Sequence, residues 1–77
     1  MKMFEKSIEE NIERDSKSFE LLENLYKRYL IYCKAHNLKP IGRNGFTYRF
    51  TKNRIGVLHK SKGKSARWGV RLLPCKY

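Results

Sequence analysis

Beyond Glu23 this sequence contains no aspartate and no glutamate. All seven acids (Glu5, Glu9, Glu10, Glu13, Asp15, Glu20, Glu23) sit among four bases in the first 23 residues, and the next 54 residues carry fourteen lysines and arginines. A stretch of that kind cannot neutralise itself by salt bridges. Its self-repulsion opposes compaction, and a polyanionic partner relieves it; nucleic acid is the commonest such partner. Acid–base catalysis by paired carboxylates has nothing to work with in the same stretch. Other scarcities narrow the field further. No apolar run is long enough to cross a bilayer, so no membrane partner is expected. The start, "MKMFEKSIEE", has no apolar core of the secretory type, and the two cysteines, Cys33 and Cys75, do not form a secreted disulfide framework. A cytoplasmic location is expected.

At 77 residues the chain makes one small domain. Such a domain buries only about 60% of the surface its unfolded chain exposes, which leaves no room for a deep pocket or a small-molecule substrate. The apolar fraction of 40%, with 13% aromatics, is ample for folding. Phe4, Ile8 and Ile12 recur at intervals of four and form a single helical stripe over residues 1–14. Residues 1–15 are therefore expected as an acidic amphipathic helix or tail, and residues 16–77 as the basic domain. "RDSKSFE" looks like a break, with Ser16 or Ser18 capping a second helix over about Lys17–His36. That helix carries Phe19, Leu22, Tyr26, Tyr29 and Cys33 at three- and four-residue steps. Asn37 suits its C-terminus, and Pro40 marks a connector in which Lys39–Ile41 could form a short strand.

"GRNGFTYRFTKNR" predicts a short basic helix over Arg43–Asn53 with Phe46 and Phe50 on one side. Its other side carries Asn44, Tyr48, Thr51 and Lys52, flanked by Arg43 and Arg49. From Ile55 to Leu73 the pattern is a hairpin: "IGVLHK", a turn-rich "SKGKS", then "ARWGVRLL". Trp68, Val70 and Leu72 are expected to face the core, and Arg67, Gly69 and Arg71 to face out. Trp68 would anchor the hairpin to the core, the alternative being stacking on an unpaired base. Gly63-Lys64-Ser65 matches the tail of a phosphate-binding P-loop. The leading glycine that such a loop requires falls at Leu58, however, and no buried strand precedes it.

Helix, helix, short basic helix and a lysine-tipped hairpin is the order of an α+β winged helix, a helix-turn-helix core with a two-stranded C-terminal wing. In that arrangement the third helix enters the major groove and the wing follows the phosphates. Residues 19–72 also resemble the C-terminal winged-helix domain of phage, plasmid and poxvirus-type primase-helicases. Tyr26-Lys27-Arg28-Tyr29, Pro40, Asn44-Gly45-Phe46 through Phe50, and Arg67-Trp68-Gly69 carry the resemblance. It implies a free-standing relative, or the DNA-gripping end of such an enzyme taken alone, tied to the replication of mobile elements. It carries over no ATPase or primase activity.

The expected DNA contacts are Arg43, Asn44, Tyr48, Arg49 and Lys52 from the third helix, with Lys60, Lys62, Lys64, Arg67 and Arg71 from the hairpin. Double-stranded DNA is favoured, with single-stranded DNA as the other form. The alternative is a protein-interaction module that uses Phe4, Ile8 and Ile12 to form a homodimer or to hold a replication or host protein. Cys33, His36, His59 and Cys75 contain no close-spaced cysteine pair of the zinc-site type, and Cys33 with His36 lacks an orienting group for nucleophilic catalysis. Neither a metal, nor a cofactor, nor an enzymatic activity is expected.

Overall fold

The computed structural model describes residues 2–76, with side chains described for all but residues 2–5 and 61. Among the described residues it is a small α+β fold of three helices and one three-stranded antiparallel sheet. The elements run α1 (Lys2–Asn11), β1 (Ile12–Leu21), α2 (Leu22–Ala35), α3 (Arg43–Lys52), β2 (Val57–Ser61) and β3 (Lys64–Leu72). The longest strand-to-strand connection, from β1 to β2, contains both α2 and α3. The sheet order is β1-β3-β2, so the first strand lies beside the last. None of the described helices is long and apolar enough to cross a membrane.

β1 corrects the expected helix pair. Residues 12–21, read as the end of one helix and the capped start of the next, form a strand on β3. Its first half pairs Ile12–Arg14 with Leu72–Val70, and its second pairs Phe19–Leu21 with Trp68–Ala66. Between the halves, residues 15–18 bulge out opposite Gly69, whose φ of 85° lets β3 bend there. The Asp15 carboxylate holds the bulge together, accepting from the Lys17 N–H at 3.1 Å and the Ser18 hydroxyl at 2.9 Å. Ser16 and Ser18 therefore cap no helix. The expected division between residues 15 and 16 falls inside this bulge, and sheet pairing continues on both sides of it.

α2 starts directly after β1, with Leu21 at its N-cap and no side-chain cap. Glu20 takes over part of that role, accepting from the Leu21 N–H at 3.0 Å and from Asn24 Nδ2 at 2.8 Å. The helix buries Leu22, Leu25, Tyr29, Tyr32 and Cys33, a stripe turned slightly from the expected one, with Tyr26 half-buried. It ends in a Schellman motif. Asn37 has φ of 56°, its N–H bonds to the Lys34 carbonyl, and the Leu38 N–H bonds to that of Cys33.

The connector forms no strand; two tyrosines of α2 pin its backbone instead. The Tyr26 hydroxyl donates to the Ile41 carbonyl at 2.9 Å, and the Ile41 N–H donates to the Tyr29 hydroxyl at 3.0 Å. α3 follows with Phe46 and Phe50 fully buried, their centroids 4.7 Å apart, and Phe46 against Tyr26 and Tyr29. These rings, with Leu22, Leu25, Ile55 and Val70, make the core. Ile8 and Ile12 pack against it half-buried, which docks α1 onto the domain; the Phe4 side chain lies outside the described residues. Burial of this kind contributes about 25 cal/mol per Å² of apolar surface removed from water.

Candidate nucleic-acid interface

The hairpin turn is Lys62-Gly63, with φ of 52° and 80°. Positive φ at both central residues suits the twist of the flanking strands and keeps the connection to two residues. It brings the start of β3 alongside the first turns of α3. Between them lies a hollow of about 540 Å³ lined by Leu22, Arg43, Asn44, Thr47, Tyr48 and Ser65. A smaller one of about 290 Å³, lined by Glu23, Arg43, Gly63, Lys64 and Ser65, continues toward the turn.

The N-terminal end of α3 meets this surface bare. Gly42 at the N-cap offers no side chain, and no acid stands in the first turn. The helix dipole and the first N–H groups therefore favour an anion. Arg43, Asn44 and Tyr48 are exposed, Tyr48 at 64%. Thr47 is turned back on its own helix, its hydroxyl donating to the Arg43 carbonyl at 3.0 Å. Lys52, at the far end of α3, and Lys60 and Lys62, on the hairpin, are also exposed, while Arg49 is half-buried. Among the described residues, none of Arg43, Lys52, Lys60 and Lys62 forms an ion pair.

Three of the ten expected DNA contacts stand differently. Arg67 is buried at 2% exposure and points inward, contrary to the expected alternation. Its Nε and Nη2 donate to the Ile55 carbonyl, Nη2 also reaches that of Gly56, and Nη1 lies 3.4 Å from the Thr51 hydroxyl. The guanidinium stands over the Phe50 ring, 5.7 Å from its centroid, and burial pulls its pKa below the ordinary arginine value. Arg71 is exposed but bonded to Glu13, its partner across the sheet. Lys64 lies 3.4 Å from Glu23. Acids from the first 23 residues thus reach across to the basic stretch, which the charge distribution along the sequence does not disclose.

Trp68 is also placed differently. Consecutive strand residues face opposite sides of a sheet, so with Arg67 turned toward α3, Trp68 turns away from it. The indole is 40% exposed and packs on Phe19 of β1, centroids 5.3 Å apart, with His59 of β2 edge-on at 5.5 Å. It ties three strands together on the outer face of the sheet and does not reach the helical core. Ser65 and Thr47, by contrast, line the main hollow without having been expected there. Ser65 is recognisable only as part of the rejected P-loop match.

Cys33 is buried and Cys75 exposed, both as free thiols. Among the described residues no group of three or more His, Cys, Asp or Glu side chains is placed to hold a metal ion. No protein-family model, curated protein or solved structure matches this chain.

Proposed function

We propose that this chain is a winged-helix DNA-binding protein of mobile-element replication, which acts in the cytoplasm by binding and not by catalysis. Helix–strand–helix–helix–strand–strand with sheet order β1-β3-β2 is compatible with that architecture, α3 serving as recognition helix and the β2–β3 hairpin as wing. The observation that carries the reading is the hollow between α3 and the start of β3. It sets an uncapped helix N-terminus, Arg43, Asn44 and Tyr48 beside a hairpin whose turn presents Lys62. Arg43 and Asn44 have the donor geometry that reads purine edges, and Lys52, Lys60 and Lys62 have the charge that binds phosphates. The link to replication rests on the sequence resemblance described above.

The alternative of a partner-binding N-terminal helix draws less support, because Ile8 and Ile12 turn inward against the core. The deciding experiment titrates labelled double-stranded and single-stranded oligonucleotides at about 50 and about 200 mM salt. About five phosphate contacts give a log–log slope of about −4.5 on duplex. An Asn44→Ala variant then loses about 1–3 kcal/mol of discrimination at one base pair. Duplex affinity that does not change with salt overturns the proposal.

A further inference from the structure

Beside the β1 bulge and the turn that leads out of α3, Trp68 walls a further hollow of about 360 Å³, which neither the duplex interface nor the core uses. Its other walls are Val57, the backbone at Gly56 and Gly69, and two exposed arginines, Arg14 and Arg54. Both arginines are held toward it by the fold. Arg54 sits just past the end of α3 with φ of 55°, a left-handed position fixed by N–H bonds from Arg54 to the Thr51 carbonyl and from Ile55 to that of Phe50. Arg14, at the edge of the β1 bulge, donates from Nη1 to the Arg54 carbonyl at 3.2 Å. Asp15 shares the rim, but both of its carboxylate oxygens already accept, from the Lys17 N–H and the Ser18 hydroxyl. Two guanidiniums thus stand against one engaged carboxylate.

An exposed indole beside two guanidiniums suits a flat aromatic group that carries an anion. We infer that this hollow binds one unpaired nucleotide of single-stranded DNA. The base stacks on Trp68, and Arg54 and Arg14 hold the adjoining phosphate. Duplex bases have their faces covered by their neighbours, so only an unpaired base can offer a face to the indole. The choice of DNA over RNA rests on the function proposed above; the stacking site itself does not. With α3 on one side of the sheet and Trp68 on the other, the protein can hold a duplex and a displaced strand together, as at a fork.

Trp68 is the only tryptophan in the chain, so its fluorescence reports this site directly. An oligothymidylate of about ten nucleotides is expected to quench it. Anisotropy with a labelled oligomer should show Trp68→Ala weakening that complex about tenfold. Arg54→Gln, which leaves the Trp68 packing intact, should weaken it about fivefold and flatten its salt dependence. Neither variant should change duplex affinity. No quenching, or wild-type affinity for the oligomer in both variants, overturns the inference. Tighter binding of an oligouridylate of equal length overturns the assignment to DNA. Duplex binding without quenching defeats this site alone, and quenching without duplex binding defeats the proposed function alone.

Discussion

Arg67 Nε and Nη2 both donate to the carbonyl of Ile55, at 3.2 and 3.1 Å, so a guanidinium inside the domain clasps the turn that leads out of α3. The same side chain reaches the Gly56 carbonyl and the Thr51 hydroxyl, which joins β3 to the end of α3. Replacing Arg67 with alanine leaves these acceptors short of donors and opens a cavity under Phe50. The expected cost is about 2–4 kcal/mol in urea denaturation. Arg67→Lys keeps the charge but not the fork, and also destabilises. Folded Arg67→Gln protein, which lacks the charge, should retain the wild-type salt slope on duplex DNA. A slope reduced by about one would place Arg67 on the phosphates after all.

The exposed and the paired cations of the hairpin should separate in a salt titration. Lys62 stands in the turn with no described ion-pair partner, so Lys62→Ala should weaken duplex binding and reduce the slope by about one. Lys64 is held by Glu23, and Arg71 by Glu13. Glu23→Gln removes an acid from the edge of the α3 hollow and frees Lys64, which should raise affinity about two- to fivefold at low salt. Fluorescence anisotropy with labelled duplex measures both effects. Equal losses for Lys62→Ala and Arg71→Ala would contradict the separation.

What is legible in the sequence is what local pattern determines. The Phe46/Phe50 spacing, the tyrosine-rich helix and the glycine-centred turn each act through neighbours a few residues away; the first and the last stand where expected, and the helix stands there from Leu22 onward but not over residues 17–21. β1 escapes because Ile12 continues the spacing of Phe4 and Ile8, and because the bulge at residues 15–18 breaks its alternation. Once β1 is missed, Glu13 and Arg71 are 58 positions apart, and nothing suggests that they meet. Burial of Arg67 is invisible for another reason: its main acceptors are backbone carbonyls, which every residue has. Among the candidate residues, the exposure of Arg43, Asn44, Tyr48 and Lys52 on α3 could be read because a helix fixes which side chains share a face, whereas the place of Thr47 in the hollow could not. The residues of β3 could not be read, because the bend at Gly69 and the inward turn of Arg67 are tertiary.

Two glycines of the hairpin region should respond unequally to alanine. A Cβ on Gly56 would lie 2.6 Å from the Trp68 carbonyl oxygen, and φ there is 69°. One on Gly63 would meet nothing within 4 Å, at a φ of 80°. Gly63→Ala therefore pays only the left-handed backbone cost, about 1 kcal/mol. Gly56→Ala adds a clash with backbone that cannot move aside without breaking the β2–β3 pairing, for about 2–4 kcal/mol in all. Urea denaturation of the two variants checks the order. Equal losses would mean that the approach of Gly56 to β3 is looser than the structure shows.

Acid should loosen the β1 bulge. The Lys17 N–H, and after it the Ser18 hydroxyl, hold the Asp15 carboxyl below its ordinary value of 3.8, with a small opposing effect of desolvation and a further lowering by Arg71. A depressed folded-state pKa means that the unfolded chain takes up the proton first. Asp15 therefore stabilises the fold fully above the ordinary value, and that contribution disappears as the pH falls through the depressed one. Asp15→Ala, which removes the acceptor, should lower the thermal midpoint at neutral pH and bring it closer to wild type as the pH falls below 3.8. Thermal melts by circular dichroism across that range measure the convergence. If the two curves stay parallel into acid, the carboxylate is not what holds residues 15–18 in place.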